Sequence, residues 1–122
     1  MNKKIKILIV EDEAIIARSL KIELNFAGYE VCNFVASGEE AIREAKKHNP
    51  DVILMDIHLS GEIDGIKAAE KIIEYKKIQI IFMTGYPERN LFERAQKVNP
   101  AAYFQKPIEI YDLKPIIDDL FK

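Results

Sequence analysis

Polar side chains stand just beyond four apolar runs of strand length in this chain. Glu11 and Asp12 follow Ile7–Val10, Asp56 follows Val52–Met55, Thr84 follows Ile78–Met83, and Lys106 comes two residues after Ala101–Phe104. An ionised carboxylate is costly inside an apolar layer, so Asp56 is expected at a strand mouth where water, a cation or a donor reaches it. If the strands are parallel, their C-terminal ends share one edge. Glu11, Asp12 and Asp56 ionised, with Lys106 protonated, then leave about two excess negative charges in one crevice. A hard divalent cation relieves that repulsion. Mg2+ suits it, because it accepts a few carboxylate oxygens, keeps several waters and is often completed by a phosphate. Thr84 and Lys106 would hydrogen-bond and neutralise the other phosphoryl oxygens.

Each residue taken singly has a plainer use. Asp56 terminates a strand, Glu11 and Asp12 cap a helix, Thr84 is a β-branched strand end, Lys106-Pro107 is a helix entry, and Tyr103 is core. The joint reading explains all of them at one edge, where the plain readings need separate coincidences. His48 and His58 lack spaced partners and are expected to be solvent-exposed.

The elements that must position these groups alternate strictly. Ile5–Val10 reads as a strand. A helix from Ala14 has its apolar side at Ile16, Leu20, Leu24 and Ala27, and Gly28 stands just past its end. Tyr29–Val35 is more polar, as suits an edge strand. Ser37-Gly-Glu-Glu40 is a capping box opening a helix with Ala41, Ile42 and Ala45 inward, and Asn49-Pro50 ends it. Val52–Met55 reads as a strand buried on both faces. Asp64 caps the next helix, whose inner face is Ile66, Ala69, Ile72 and Ile73. Pro87 suits the start of a helix with Leu91, Ala95 and Val98 inward. The last helix contains Pro115, which either lies near the first turn of a late start capped around Asp112 or kinks a longer helix. Five strands alternating with five helices imply an α/β fold, a parallel sheet covered on both faces with sites at the carboxyl ends of its strands.

The 122 residues fit one domain able to bury a core without staples. No apolar stretch reaches bilayer length, and the apolar run behind the basic N-terminus stops at Glu11, too early for a signal peptide. A cytoplasmic location follows as the expectation. The net charge of -2 gives no nucleic-acid footprint. Cys32 is read as a small buried hydrophobe.

Ile7-Leu-Ile-Val-Glu-Asp-Glu13, Ile53-Leu-Met-Asp56, Met83-Thr-Gly85 and Tyr103-Phe-Gln-Lys-Pro107, in that order across the chain, resemble the receiver domain of two-component response regulators. The resemblance implies one receiver domain over residues 1–122, a (βα)5 flavodoxin-like three-layer sandwich with strand order 2-1-3-4-5. It makes Asp56 the phosphoacceptor, with Asp12 and Asp56 as carboxylate ligands to Mg2+, Glu11 helping through a bound water, and the main-chain carbonyl of His58 as a further ligand. Lys106 would pair with the phosphoryl group, and Thr84 would donate its hydroxyl to it, with Gly85 leaving the phosphate approachable. Tyr103 would turn inward as Thr84 moves. The phosphodonor would be a sensor histidine kinase or phosphotransfer protein. A homodimer or an effector would use the face of the fourth helix, fifth strand and fifth helix, and the domain itself would contact neither nucleic acid nor membrane. It would be a signalling phosphoacceptor, taking part in its own phosphorylation and dephosphorylation, rather than an enzyme. The loop after Asp56 is one residue longer than the commonest pattern, and Glu11 replaces the more frequent Asp.

Two other functions use similar parts. A phosphatase of the haloacid dehalogenase type needs a second Asp two residues after the nucleophile, where this chain has His58. A flavin or nucleotide carrier needs a glycine-rich loop after the first strand, and none is present.

Overall fold

The computed structural model describes residues 3–86 and 88–122. Five strands, β1 (Lys6–Val10), β2 (Glu30–Val35), β3 (Val52–Asp56), β4 (Gln79–Thr84) and β5 (Ala102–Gln105), alternate with five helices. The helices are α1 (Ala14–Phe26), α2 (Gly38–His48), α3 (Gly65–Ile73), α4 (Arg89–Gln96) and α5 (Ile110–Leu120). Every strand pair is parallel, in the order β2-β1-β3-β4-β5, which places the expected edge strand at one margin.

Alternation along the strands divides the core into two layers. Leu8, Val10, Ile53, Met55, Ile80 and Phe82 pack on one face against α2, α3 and α4. Ile7, Ile9, Val52, Leu54, Ile81 and Met83 pack on the other against α1 and α5. β3 is buried along its whole length, so its final residue, Asp56, leaves the core with almost no solvent access.

Local chemistry sets the helix ends. Gly28 continues the chain past α1 at φ 104°, and Asn49 and Asn99 adopt left-handed conformations just before Pro50 and Pro100. Ser37 Oγ accepts the Glu40 N–H at 3.2 Å, while Glu40 reaches back to the Ala36 N–H and the Ser37 hydroxyl. Asp64 caps α3 through the Lys67 N–H at 2.8 Å and also receives Arg94 from α4. α3 begins hard against the phosphoacceptor strand: a Cβ at Gly65 would lie 2.0 Å from the Asp56 carbonyl oxygen.

Several sequence expectations need correction. Ile73 is exposed, and Ala68 takes its place in the core, because α3 presents its 65, 68, 69 and 72 positions to the sheet. Of the two alternatives for Pro115 the structure takes the longer helix: α5 starts at Ile110 with Glu109 as its N-cap, so Pro115 lies inside it rather than in the first turn of a helix capped around Asp112. Cys32 is only half-buried, its thiol near the Ile7 carbonyl at the irregularity in the β1–β2 register. His48 is half-buried beside Glu44, 3.1 Å away, whereas His58 is exposed as expected. The helix-start reading of Pro87 lies outside the described residues.

Candidate functional site

The C-terminal ends of β1, β3, β4 and β5 meet at one edge, and the polar residues singled out in the sequence converge there. Val10 leads directly into Glu11 and Asp12, and β3 ends on Asp56. One carboxylate oxygen from each of the three acids lies within 4.8 Å of the others. Lys106 Nζ donates to Glu11 Oε1 at 2.7 Å and to Asp56 Oδ2 at 2.9 Å. Glu11 is shielded from solvent, and its second oxygen accepts the Glu13 N–H at 3.0 Å, which ties the acid to the N-cap residue of α1. Asp12 is exposed at the rim.

Backbone pairing fixes this arrangement. Lys106 N donates to the Thr84 carbonyl at 2.7 Å, stitching the ends of β4 and β5 together. The Lys106–Pro107 peptide is cis. Ile57 N bonds to the Met83 carbonyl and Gly65 N to the Ile57 carbonyl, so the chain on either side of Asp56 is held. A crevice of about 650 Å3 opens above, lined by Asp12, Asp56, His58, Tyr86 and Lys106, with an apolar wall that includes Ile15 and Ile108. Gly85 also lines it, and a Cβ there would meet open space.

The electrostatics are those of a pocket with too much negative charge. Burial pushes the Asp56 carboxyl up, the Lys106 hydrogen bond opposes it, and the neighbouring Glu11 charge adds to the rise, leaving Asp56 at about 7. Burial pulls Lys106 down, but its hydrogen bonds and charge contacts with Glu11 and Asp56 outweigh that and hold it above its ordinary value. Asp56 Oδ1 is buried and has no hydrogen-bond partner among the described residues. A plain strand terminator would not leave such an acceptor unsatisfied. Three oxygen donors from carboxylates, one of them orphaned, fit a hard divalent cation of the Mg2+ type.

Thr84 and Tyr103 are less simply placed. Thr84 is fully buried; its hydroxyl donates to the Tyr86 carbonyl at 3.1 Å and accepts the Tyr86 N–H at 3.0 Å. Tyr103 is half-buried, with its ring 5.1 Å from Phe92 of α4 and 6.5 Å from Phe82. Its hydroxyl is buried without a partner among the described residues. Burial, with the Glu88 charge adding, raises the Tyr103 phenol above its ordinary value. Sequence reasoning missed the direct Lys106 contact of Glu11, because no spacing signal tells a water-mediated helper from an ion-pair partner. It also missed the His58–Tyr86 edge-to-face pair at 4.5 Å over the crevice.

The family model for the response regulator receiver domain matches residues 7–118. The chain belongs to that family. It is 38% identical over 113 residues to the transcriptional regulatory protein PdtaR of Mycobacterium tuberculosis, covering 93% of this chain but 55% of the relative. The chain therefore spans about half the length of that protein. Sporulation initiation phosphotransferase F of Bacillus subtilis is 31% identical over 119 residues, covering 96% of this chain and 92% of the relative. Among solved structures, the signal receiver domain of a modulated diguanylate cyclase from Desulfovibrio desulfuricans G20 aligns with a TM-score of 0.90 at 37% identity, covering 96% of this chain and 93% of that one. The (βα)5 flavodoxin-like architecture and the receiver assignment implied by the sequence both hold. No described helix is long and apolar enough to cross a membrane.

Proposed function

We propose that this receiver domain accepts a phosphoryl group on Asp56, in the presence of Mg2+, from a phosphohistidine on a sensor histidine kinase or phosphotransfer protein. The observation that carries this reading is the unpartnered, buried Asp56 Oδ1 inside a pocket whose other groups are two carboxylates and one ammonium. Glu11, Asp12, Asp56 and the main-chain carbonyl of His58 would hold the ion. When bound, Mg2+ supplies positive charge that favours the ionised Asp56 and offsets charge on the transferring oxygens.

The chain's own groups do the rest. An Asp56 carboxylate oxygen forms the new P–O bond as the P–N bond to imidazole breaks, and that electron pair returns to the ring nitrogen. Lys106 shifts its hydrogen bonds from the carboxylates toward the phosphoryl oxygens, keeping its proton. Thr84 exchanges its bond to the Tyr86 carbonyl for one to a phosphoryl oxygen. Because the Thr84 carbonyl receives Lys106 N, both phosphate-sensing residues act on the same β4–β5 junction. Tyr103 and Phe92 transmit the change to the α4–β5–α5 face, which would meet a second copy or an effector. On this reading the whole chain, residues 1–122, is one receiver domain and works in the cytoplasm, taking part in its own phosphorylation and dephosphorylation.

The test is incubation with Mg2+ and acetyl phosphate followed by intact mass. A hydroxylamine-labile phosphate adduct that disappears in Asp56→Asn supports the assignment, and an adduct that survives the substitution rejects it.

A further inference from the structure

The loop between β3 and α3 is fastened to the start of α2, a helix that contributes no residue to the crevice. Ser60 Oγ donates to the Ala36 carbonyl at 3.1 Å, and Ser37 and Ser60 form an isolated parallel bridge. Glu62 N donates to Glu39 Oε2 at 3.1 Å. Gly61, at φ 96°, lies so close beneath the same carboxylate that a Cβ there would come 2.6 Å from Glu39 Oε1. Ile63 then packs over Gly38, whose missing side chain makes the room. On the other side, Ile57 is paired to Met83 and Gly65. His58 and Leu59 are thus the two residues that bridge one fixed point to the next.

We propose that Glu39 is a positioning residue for the divalent-cation site, acting through the Ser60–Glu62 clamp to hold the His58 carbonyl in place. The inference rests on the reading of that carbonyl as a ligand. With the clamp intact, the backbone from Ile57 to Asp64 is ordered before the ion arrives. Without it, residues 58–62 are held between Ile57 and the packed Ile63 only by the partial burial of Leu59, and part of their ordering cost falls on metal binding. The extra residue in this loop lengthens the span, and the contacts with α2 fasten it.

The test uses the full chain and Mg2+ alone. Affinity is read from amide chemical shifts at Glu11 and Asp12, together with hydrogen exchange at the Glu62 amide. Glu39→Ala removes the acceptor, whereas Glu39→Gln keeps an oxygen for the Glu62 N–H while removing the charge. The expected result is a Mg2+ affinity weaker by roughly three- to tenfold in Glu39→Ala, at or below the low end for losing a ligand-supporting contact because this clamp is exposed. Exchange at Glu62 should accelerate, and Glu39→Gln should restore both readouts. Equal affinity in Glu39→Ala and wild type overturns the proposal. So does a Glu39→Gln variant as weak as Glu39→Ala, which would assign the effect to charge. Ser60→Ala loosens the opposite side of the clamp and carries the same test should Glu39→Ala fold poorly. A wild-type protein that binds no Mg2+ removes the metal reading itself, an outcome distinct from either.

Discussion

Replacing Asp56 with Asn removes a buried charge while preserving the side chain's shape, and its effect on the metal-free protein follows from the geometry. The folded-state value of about 7 lies well above the ordinary carboxyl value of 3.8. An acid raised on folding contributes its full stability below its unfolded value and loses it as pH rises through the folded one. Wild type should therefore weaken relative to the variant between about pH 4 and pH 7, with the difference level above that. At 1.36 kcal/mol per pH unit the gap amounts to at most about 4 kcal/mol. Lys106 is shared with Glu11 and relaxes toward it when Asp56 is neutralised, so about half of that, ~2 kcal/mol, is the expected gain. For a chain of this size the gain corresponds to a rise in Tm of roughly 6–10 °C. Differential scanning calorimetry in chelator at pH 8 and at pH 4 measures it. Equal stability of the two proteins at pH 8, or a variant less stable there than wild type, would refute the account of a repulsive, desolvated pocket.

Lys106→Met leaves Glu11 and Asp56 facing each other without the ammonium and should cost about 3 kcal/mol at pH 8 by urea unfolding in chelator. The raised Lys106 value keeps this contribution present throughout the neutral range and removes it only as pH climbs past the ordinary lysine value. Mg2+ should return part of the loss by restoring positive charge, and an unchanged unfolding midpoint would count against the ion-pair geometry. Gly65→Ala forces a methyl group toward the Asp56 carbonyl and should destabilise by about 2–3 kcal/mol while also slowing adduct formation with acetyl phosphate. Wild-type stability and labelling in that variant would show that the α3 start does not constrain the phosphoacceptor strand.

Much of this arrangement was legible in the sequence because its signals are local and strong. Val52–Met55 and Ile80–Met83 are continuous apolar runs, and strict strand–helix alternation leaves few topologies. Ser37, Asp64 and Gly28 each announced a helix end through the chemistry of that position alone. The expectation failed where tertiary packing decides. Ile73 fits the helical period but is exposed at the end of α3, while the choice between the two alternatives for Pro115 had to wait for the structure, which runs α5 through it. The convergence of Glu11, Asp12, Asp56 and Lys106 could be inferred from strand ends in a parallel sheet. Which acid would hold Lys106 could not, since the 95-residue separation of Glu11 and Lys106 is closed only by β1, β3, β4 and β5 lying side by side. The Arg94–Asp64 bridge and the Glu39 clamp likewise depend on distant elements and left no motif.

The central claim is that three carboxylates at the C-terminal ends of β1 and β3, those of Glu11, Asp12 and Asp56, are gathered for a divalent cation that competes with the proton on Asp56. Isothermal titration of metal-free protein with Mg2+ at pH 8 and pH 6 tests it most directly. With Asp56 at about 7, the account predicts single-site binding roughly tenfold weaker at pH 6, accompanied by proton release. An affinity that is the same at both pH values, or no binding at millimolar Mg2+, would contradict it.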